Sequence, residues 1–391
     1  MILKLKDTYT LFHWWIQRGA LLFASALLSI VLVNSPYAHY HDLFCSKIIA
    51  IKIWGGNITV PVRTFVNEFL MAIFFLVISM EIKREIIDGY LKEKDQRLLP
   101  ITAAFAGALL PILIYYVFNH NDTIAVQGWA IASATDIGFA RGLFSLFGQN
   151  LPCALKVFLA ALAVIDDFIA ILIIAVFYSS TFNFYYLVLT LPCCGVLFLF
   201  NKLKVQLLIA YIVVGIVMWY FFLKSGLHST IGGVLLGIFI PLKTINHRSL
   251  LKTLEKRLTI FVEYLVLPIF AFFNCGIALH GLTPKLFLHP VVLGIALGLF
   301  FGKIIGISSA VWALVKLKIV KLDNKIKLQH YYLVSLFCSV GFTMSLFISL
   351  VSFNRYQQYL DLARTGIILA LLLTIMVILL RKVLSKKLKN I

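Results

Sequence analysis

Charge is what this chain has least of. Only 13% of its 391 residues are Asp, Glu, Lys or Arg, and just 16 are acidic. A soluble domain is about a quarter charged, so that class is excluded. With 61% hydrophobic residues, the chain reads as a polytopic membrane protein. No polar stretch is long enough for a separate soluble domain, so residues 1–391 are taken as a single integral membrane domain. The six cysteines (45, 153, 193, 194, 275 and 338) lack metal-ligand spacing and give no disulfide framework; five lie in apolar runs, where a thiol acts as a small hydrophobe. A phosphate-cradling glycine loop is missing, which argues against ATP drive. No cofactor is expected.

What is present is a succession of apolar windows of about 20 residues, the length that crosses a bilayer. Twelve are predicted, at about 12–34, 62–82, 98–118, 124–147, 151–178, 183–201, 205–223, 226–242, 259–280, 288–315, 330–353 and 362–381. The net charge of +19 would suit nucleic acid, but its placement does not. With the N-terminus in the cytoplasm, twelve spans leave 24 Lys and Arg residues inside and 7 outside, Arg364 among the latter. That bias is the mark of cytoplasmic loops. Both termini are predicted to be cytoplasmic, and the lipid bilayer, not nucleic acid, is the partner. Lys4 and Lys6 precede the first apolar run as in a secretory signal, but the run is too long and more spans follow.

In the middle of the 151–178 run stand two adjacent aspartates, Asp166 and Asp167. A carboxylate at the bilayer centre costs roughly 2.5–3.5 kcal/mol on insertion scales and marks an ion or proton path. The other buried charges are Asp136 and Lys303. Two spans look interrupted by small and polar residues: the fourth at Ala132-Ser133-Ala134-Thr135-Asp136-Ile137-Gly138, the eleventh at Cys338-Ser339-Val340-Gly341-Phe342-Thr343-Met344-Ser345. Broken helices at matching positions of two halves point to a transporter's midplane site. They are central in the span triplets 3–5 and 10–12, and an odd number of spans per repeat makes the two copies inverted. The tenth span carries Gly294, Gly298, Gly302 and Gly306 on one face, where another backbone can approach. Between the first two spans, Ile49, Ile51 and Ile53 alternate with Ala50, Lys52 and Trp54 before Gly55-Gly56 and Ile58-Thr59-Val60. That pattern predicts an extracytoplasmic β-hairpin whose free edge invites pairing with a second copy.

Three buried negatives face one buried positive. One aspartate can pair with Lys303, as buried charges must; the others need a cation, a proton or a helix-end dipole. Neighbouring helix residues project about 100° apart, so one of the pair can face Lys303 and the other a water-filled path. Asp136 and Lys303 are also suited to offset the partial charges where broken helices end. Thr135 either supports the site or is an ordinary backbone-bonding threonine. A site that holds Na⁺ or protons, alternately open to each side, is an exchanger. An intramembrane aspartyl enzyme is the alternative from another class, but it needs aspartates on separate helices and a Gly-x-Gly-Asp signature, which is missing here. A proton-channel subunit of a larger complex would need partner-binding segments, and no long one exists.

These residues carry a resemblance. Ala134-Thr135-Asp136-Ile137-Gly138-Phe139-Ala140, Ala163-Val164-Ile165-Asp166-Asp167, Gly302-Lys303-Ile304-Ile305-Gly306-Ile307-Ser308, Phe75 through Glu85, Leu223-Lys224-Ser225-Gly226-Leu227-His228 and Gly341-Phe342-Thr343-Met344-Ser345 resemble, in order along nearly the whole chain, the NhaA-type sodium–proton antiporters. The resemblance implies electrogenic exchange of Na⁺ or Li⁺ for protons across a bacterial inner membrane, with roles in pH homeostasis and salt tolerance. It implies that Asp167 is the main cation ligand, that Asp166 pairs with Lys303 when the site is protonated, and that Thr135 and Asp136 sit where the two broken helices cross. It further implies a pH response at Glu81, Arg84, Glu85, Glu255 and His228, the first four being otherwise ordinary helix-end charges, and a homodimer through the hairpin near Trp54. The chain departs from the family at Ala132, where a proline is common, at Lys256 and Thr259, where histidines often stand, and in the added charges Arg141 and Glu263.

Overall fold

The computed structural model describes residues 21–53, 56–89, 94–148, 151–178, 183–242, 249–277, 284–320 and 326–387. The expectations that rest on Lys4, Lys6, Trp54, the start of the first span and the two chain ends lie outside these residues. Among the described residues, eight helices are long and apolar enough to cross a membrane: Val62–Asp88, Arg97–Asn119, Cys153–Phe177, Phe184–Lys202, Leu208–Ser225, Leu250–Asn274, Pro290–Lys316 and Gln357–Val383. The four other predicted spans are shorter or bent. Leu21–Val33 is the described part of the first, and Ala38–Ser46 turns away from it by 112°. Thr230–Phe239 and Ile137–Phe147 are short, and Leu328–Cys338 meets Phe342–Ser352 at 48°. The chain is an all-α polytopic membrane protein with one small two-stranded sheet.

The fourth span differs from a helix with a polar interruption. Its first half is two single 3₁₀ turns, Ala125–Gly128 and Ile131–Ser133, and only Ile137–Phe147 is α-helical. Asp122 accounts for the start of this irregular stretch: its Oδ1 accepts hydrogen bonds from the backbone of Ile124 (2.8 Å) and Ala125 (3.0 Å), the competition by which Asp favours turns over helices. Two residues move relative to the sequence reading. Arg364 lies not in a loop but 3% exposed within Gln357–Lys387, where Nη1 donates to Asp361 at 2.8 Å. Cys153 is exposed at its helix start, whereas Cys45, outside the apolar runs, is buried; none of the six cysteines forms a disulfide among the described residues.

Contacts divide the chain into two compact units. The first comprises Met1–Gly19, Tyr90–Ala170 and Gly281–Ile391. It holds both predicted triplets, each a long helix, a broken span and a long helix, except for the part of Cys153–Phe177 beyond Ala170. The glycine row of Pro290–Lys316 lies against the Lys94–Asn119 helix: a Cβ on Gly302 would fall 2.8 Å from the Pro111 Cα, and one on Gly298 would fall 3.1 Å from the Pro111 carbonyl oxygen. Neither position has room for a side chain, so close backbone approach fixes where Lys303 emerges.

The second unit comprises Ala20–Gly89 and Ile171–His280. Its hairpin pairs Ile48–Ile53 with Gly56–Pro61 antiparallel, Ile49 opposite Val60 and Ile51 opposite Ile58. Thr230–Phe239 packs on Met71–Asp88 because Gly233 lets it reach the Ala72 carbonyl. Among the described residues, three π turns interrupt the long helices, at Val66–Leu70, Val262–Val266 and Gly298–Gly302. Such turns cluster at functional positions, and here Glu68 and Glu263 lie within two of them while Lys303 follows the third.

Candidate ion-exchange site

Asp166 is the hub of the first unit's buried charge. Its Oδ2 accepts hydrogen bonds from Lys303 Nζ at 2.6 Å and from Thr135 Oγ1 at 2.6 Å. The side chains of Asp166 and Lys303 are both 0% exposed, so the pair is dry. Its other oxygen, Oδ1, is buried and accepts no hydrogen bond among the described residues. Thr135 also lies 3.1 Å from the carbonyl oxygen of Cys338, at the break of the eleventh span. Asp167, next along the helix, is 1% exposed. Removing one partner of such a pair leaves an uncompensated charge, at a cost of about 3–5 kcal/mol.

Asp136 solves a different problem. It is the N-cap of Ile137–Phe147, and its Oδ1 accepts from the Phe139 backbone at 3.1 Å. Oδ2 accepts from the Thr343 backbone at 2.9 Å and from the Thr343 hydroxyl. The Asp136 N–H donates to the Val340 carbonyl at 2.8 Å. One carboxylate therefore serves the first turns of two helices, Ile137–Phe147 and Phe342–Ser352, where partial positive charge gathers. Ser345 Oγ adds a bond to the Ile131 carbonyl at 2.8 Å. The breaks of the fourth and eleventh spans are thus tied together through Thr135, Asp136, Thr343 and Ser345. Lys303 gives its hydrogen bond to Asp166. Ala132 lies under the glycine row, with its Cβ 2.9 Å from where a Cβ on Gly298 would be.

All five residues to which the resemblance assigns a pH response lie in the second unit, and four of them form a cluster centred on Arg84. Arg84 Nε donates to both Glu255 oxygens at 3.0 Å, Nη1 lies 2.7 Å from Glu85 and Nη2 4.0 Å from Glu81. Thr259 donates its hydroxyl to the Glu255 carbonyl at 2.7 Å, a local helix bond in place of a titratable ring. Lys256 is exposed. His228 is not part of this cluster. Its Nδ1 lies 3.7 Å from Glu68 and its Nε2 3.1 Å from the Tyr178 carbonyl.

Sequence reasoning missed Glu68 and Thr343. Glu68 carried a signal, an acidic residue inside the second apolar run. Thr343 stood within the polar break of the eleventh span, but its pairing with Asp136, 207 residues away, carried no signal. Among the described residues, no group of three or more His, Cys, Asp or Glu side chains is placed to hold a resident metal ion. Both carboxylate oxygens of Asp136 are engaged by the helix starts they cap, so the geometry offers no aspartyl pair sharing a water.

A family model described as "Na+/H+ antiporter 1" matches residues 10–380. A protein of Pseudomonas putida (strain GB-1) named Na(+)/H(+) antiporter NhaA is 42% identical over 352 residues, covering 90% of each chain. Proteins of the same name from Proteus mirabilis and Vibrio cholerae are 44% identical over 351 residues and 43% over 353, each again covering 90% of both chains. Those relatives are named as transporters, not enzymes. With the buried Asp166–Lys303 pair, the two joined helix breaks and a match over nearly its whole length, this chain belongs to the Na⁺/H⁺ antiporter 1 family.

Proposed function

We propose that this protein exchanges Na⁺ or Li⁺ for protons, electrogenically and under pH control, by competition at Asp166 and Asp167 with alternating access. The observation that carries the reading is the dry Asp166–Lys303 pair beside a second buried carboxylate. A small hard cation needs deprotonated oxygen ligands, and protons remove them. In the proton-loaded state Lys303 holds Asp166 and Thr135 steadies the same oxygen. A Na⁺ ion taken by Asp167 displaces that carboxyl's proton and adds positive charge beside Lys303; Asp166 turns to the ion, the opened Asp166–Lys303 pair gives up a second proton, and two protons are exchanged for one cation. Both cargoes need one set of oxygens, so neither crosses with the other. Asp136 and Thr343 hold the two helix breaks as one element, so that they move together when access switches.

In this reading residues 1–391 act as one transporter domain in a bacterial inner membrane, with both termini cytoplasmic and no cofactor beyond the transported ions. The Glu81, Arg84, Glu85 and Glu255 cluster, with His228, sets the pH response. The Ile48–Pro61 hairpin, whose free edges suit strand addition, joins two copies as a homodimer. The test is Na⁺-driven proton movement in proteoliposomes of the purified protein across pH 6 to 9, beside Asp167→Asn. Exchange lost in the variant supports the assignment. Retained exchange removes Asp167 from the site, and no movement with Na⁺ or Li⁺ at any pH overturns the exchanger reading.

A further inference from the structure

The π turn Val66–Leu70 places Glu68 at the joint between Leu208–Ser225 and Thr230–Phe239. That joint turns on Gly226, whose φ of 82° lies in the left-handed region that a side chain rarely adopts. Glu68 binds it at three points. Oε2 accepts from the Ser229 hydroxyl at 2.5 Å and the Ser229 backbone at 3.2 Å, and Oε1 lies 3.7 Å from His228 Nδ1. The other ring nitrogen of His228 reaches the carbonyl of Tyr178 at 3.1 Å. Tyr178 directly follows Cys153–Phe177, the helix that carries Asp166 and Asp167. A helix end leaves its last carbonyls without helical partners, and His228 satisfies one of them.

We infer that Glu68 is a positioning residue of the antiporter: it holds His228 on the end of the aspartate helix in a proton-dependent clasp. This rests on the reading of His228 as a residue of the pH response. The ring chemistry supplies the switch. A neutral imidazole has one N–H and one lone pair. If Nε2 donates to the Tyr178 carbonyl, Nδ1 turns a lone pair toward a carboxylate. Only the doubly protonated ring satisfies both neighbours. The clasp is complete at low pH and opens as pH rises and the ring loses its proton. The helix that carries Asp167 runs on to Phe177, next to Tyr178, so the clasp bears on the end of the same helix as the ion-site aspartates.

The surroundings leave Glu68 and His228 as the natural pair. Thr230–Phe239 and Leu267–Asn274 contain no ionisable residue, and Met71–Asp88 has none before Glu81. Leu208–Ser225 contributes Tyr211, Tyr220 and Lys224, and Phe184–Lys202 contributes Tyr185, Tyr186, Cys193, Cys194 and Lys202. Arg63 precedes Glu68 by five residues, Glu263 and Tyr264 lie in the Val262–Val266 turn, and Tyr178 enters through its backbone.

The experiment compares the pH profile of Na⁺-driven proton movement for the full-length protein, Glu68→Gln, His228→Gln and the double variant. Removing the carboxylate removes the reason for the second ring proton. Glu68→Gln is expected to move the pH of half-maximal activity toward acid by about 0.5 unit or more, with peak rate within about threefold. His228→Gln is expected to move it the same way, and the double variant to add nothing further, as for residues acting as one unit. Amide exchange at 174–178 reads the clasp itself and should quicken in Glu68→Gln at pH 6. Unchanged exchange there, an unmoved Glu68→Gln profile beside a moved His228→Gln profile, or additive shifts, each overturns the inference. A His228→Gln profile that stays in place while exchange quickens refutes instead the pH reading of His228. Should Glu68→Gln fail to fold, Glu68→Asp decides: it withdraws the charge by one methylene, and an unshifted profile overturns the clasp.

Discussion

Two assemblies of charge among the described residues, the Lys303 pair and the Arg84 cluster, are built on opposite lines. In the first unit one lysine meets one carboxylate with neither side chain exposed. In the second, Arg84 is 28% exposed and collects three carboxylates that are 13–15% exposed. The dry pair has nothing to fall back on: losing either charge strands the other in low dielectric. The Arg84 cluster retains partial access to water, which screens and substitutes for a lost contact. A dry one-to-one pair suits a site where one particular exchange of partners must matter. A partly wet three-to-one cluster suits graded response to pH and salt.

The comparison is broken most forcefully at Lys303. Lys303→Ala is expected to lower stability by about 3–5 kcal/mol, read as a large drop in thermal midpoint in detergent. Asp166→Asn in the same background should recover much of it, because no charge is left unpaired. If the double variant is as unstable as the lysine variant alone, the loss comes from packing around the lysine stem and not from the stranded carboxylate. Next comes Asp136→Ala, which uncaps two helices at once. At about 1 kcal/mol per cap it should cost about 2 kcal/mol, and Thr343→Val only part of that. Equal losses would mean that the Thr343 hydroxyl carries the knot.

Glu255→Gln tests the wetter side. It is expected to cost less than about 1 kcal/mol, to lose that difference in high salt, and to shift the pH profile of transport without abolishing it. A loss as large as that of Lys303→Ala would erase the distinction between the two assemblies. The smallest effect is expected at Tyr359→Phe. The Tyr359 hydroxyl donates to Asp122 Oδ2 at 2.7 Å and, with the backbone of Ala125 and Ile124, holds this carboxyl below its ordinary range. A lowered carboxylate stabilises the fold above its unfolded value of about 3.9 and loses that contribution as pH falls through the folded value. The variant should therefore be slightly weaker than the parent at pH 7 and indistinguishable from it at strongly acid pH. A gap that widens toward acid would reverse the sign.

What could be read from the sequence was whatever violates the cheap choice locally. Asp166, Asp167 and Lys303 are costly in an apolar run, so their presence alone signals purpose. The glycine row and the alternating isoleucines of the hairpin announce themselves by period. The break at Thr135–Asp136 was visible for the same reason, but not that the residues before it form 3₁₀ turns. Ala125 to Ser133 has the composition of helix, and Asp122 together with the joined breaks decides otherwise. The Asp136–Thr343 knot and the Glu68–His228 contact join residues 207 and 160 positions apart, and a single sequence carries no record of such pairing. Arg364 read as a loop charge because it opens an apolar run; only the fold shows that its helix begins earlier, at Gln357.

The central claim is that proton and cation exclude each other at the Asp166–Asp167 pair. It is tested most directly by Na⁺ binding to the purified protein, measured calorimetrically from pH 6 to 9 with proton release recorded alongside. The account expects apparent affinity to weaken by about tenfold per pH unit toward acid for each proton displaced, and the dependence to vanish with the binding itself in Asp167→Asn. A Na⁺ affinity that stays constant across that range, with no proton released, would contradict it.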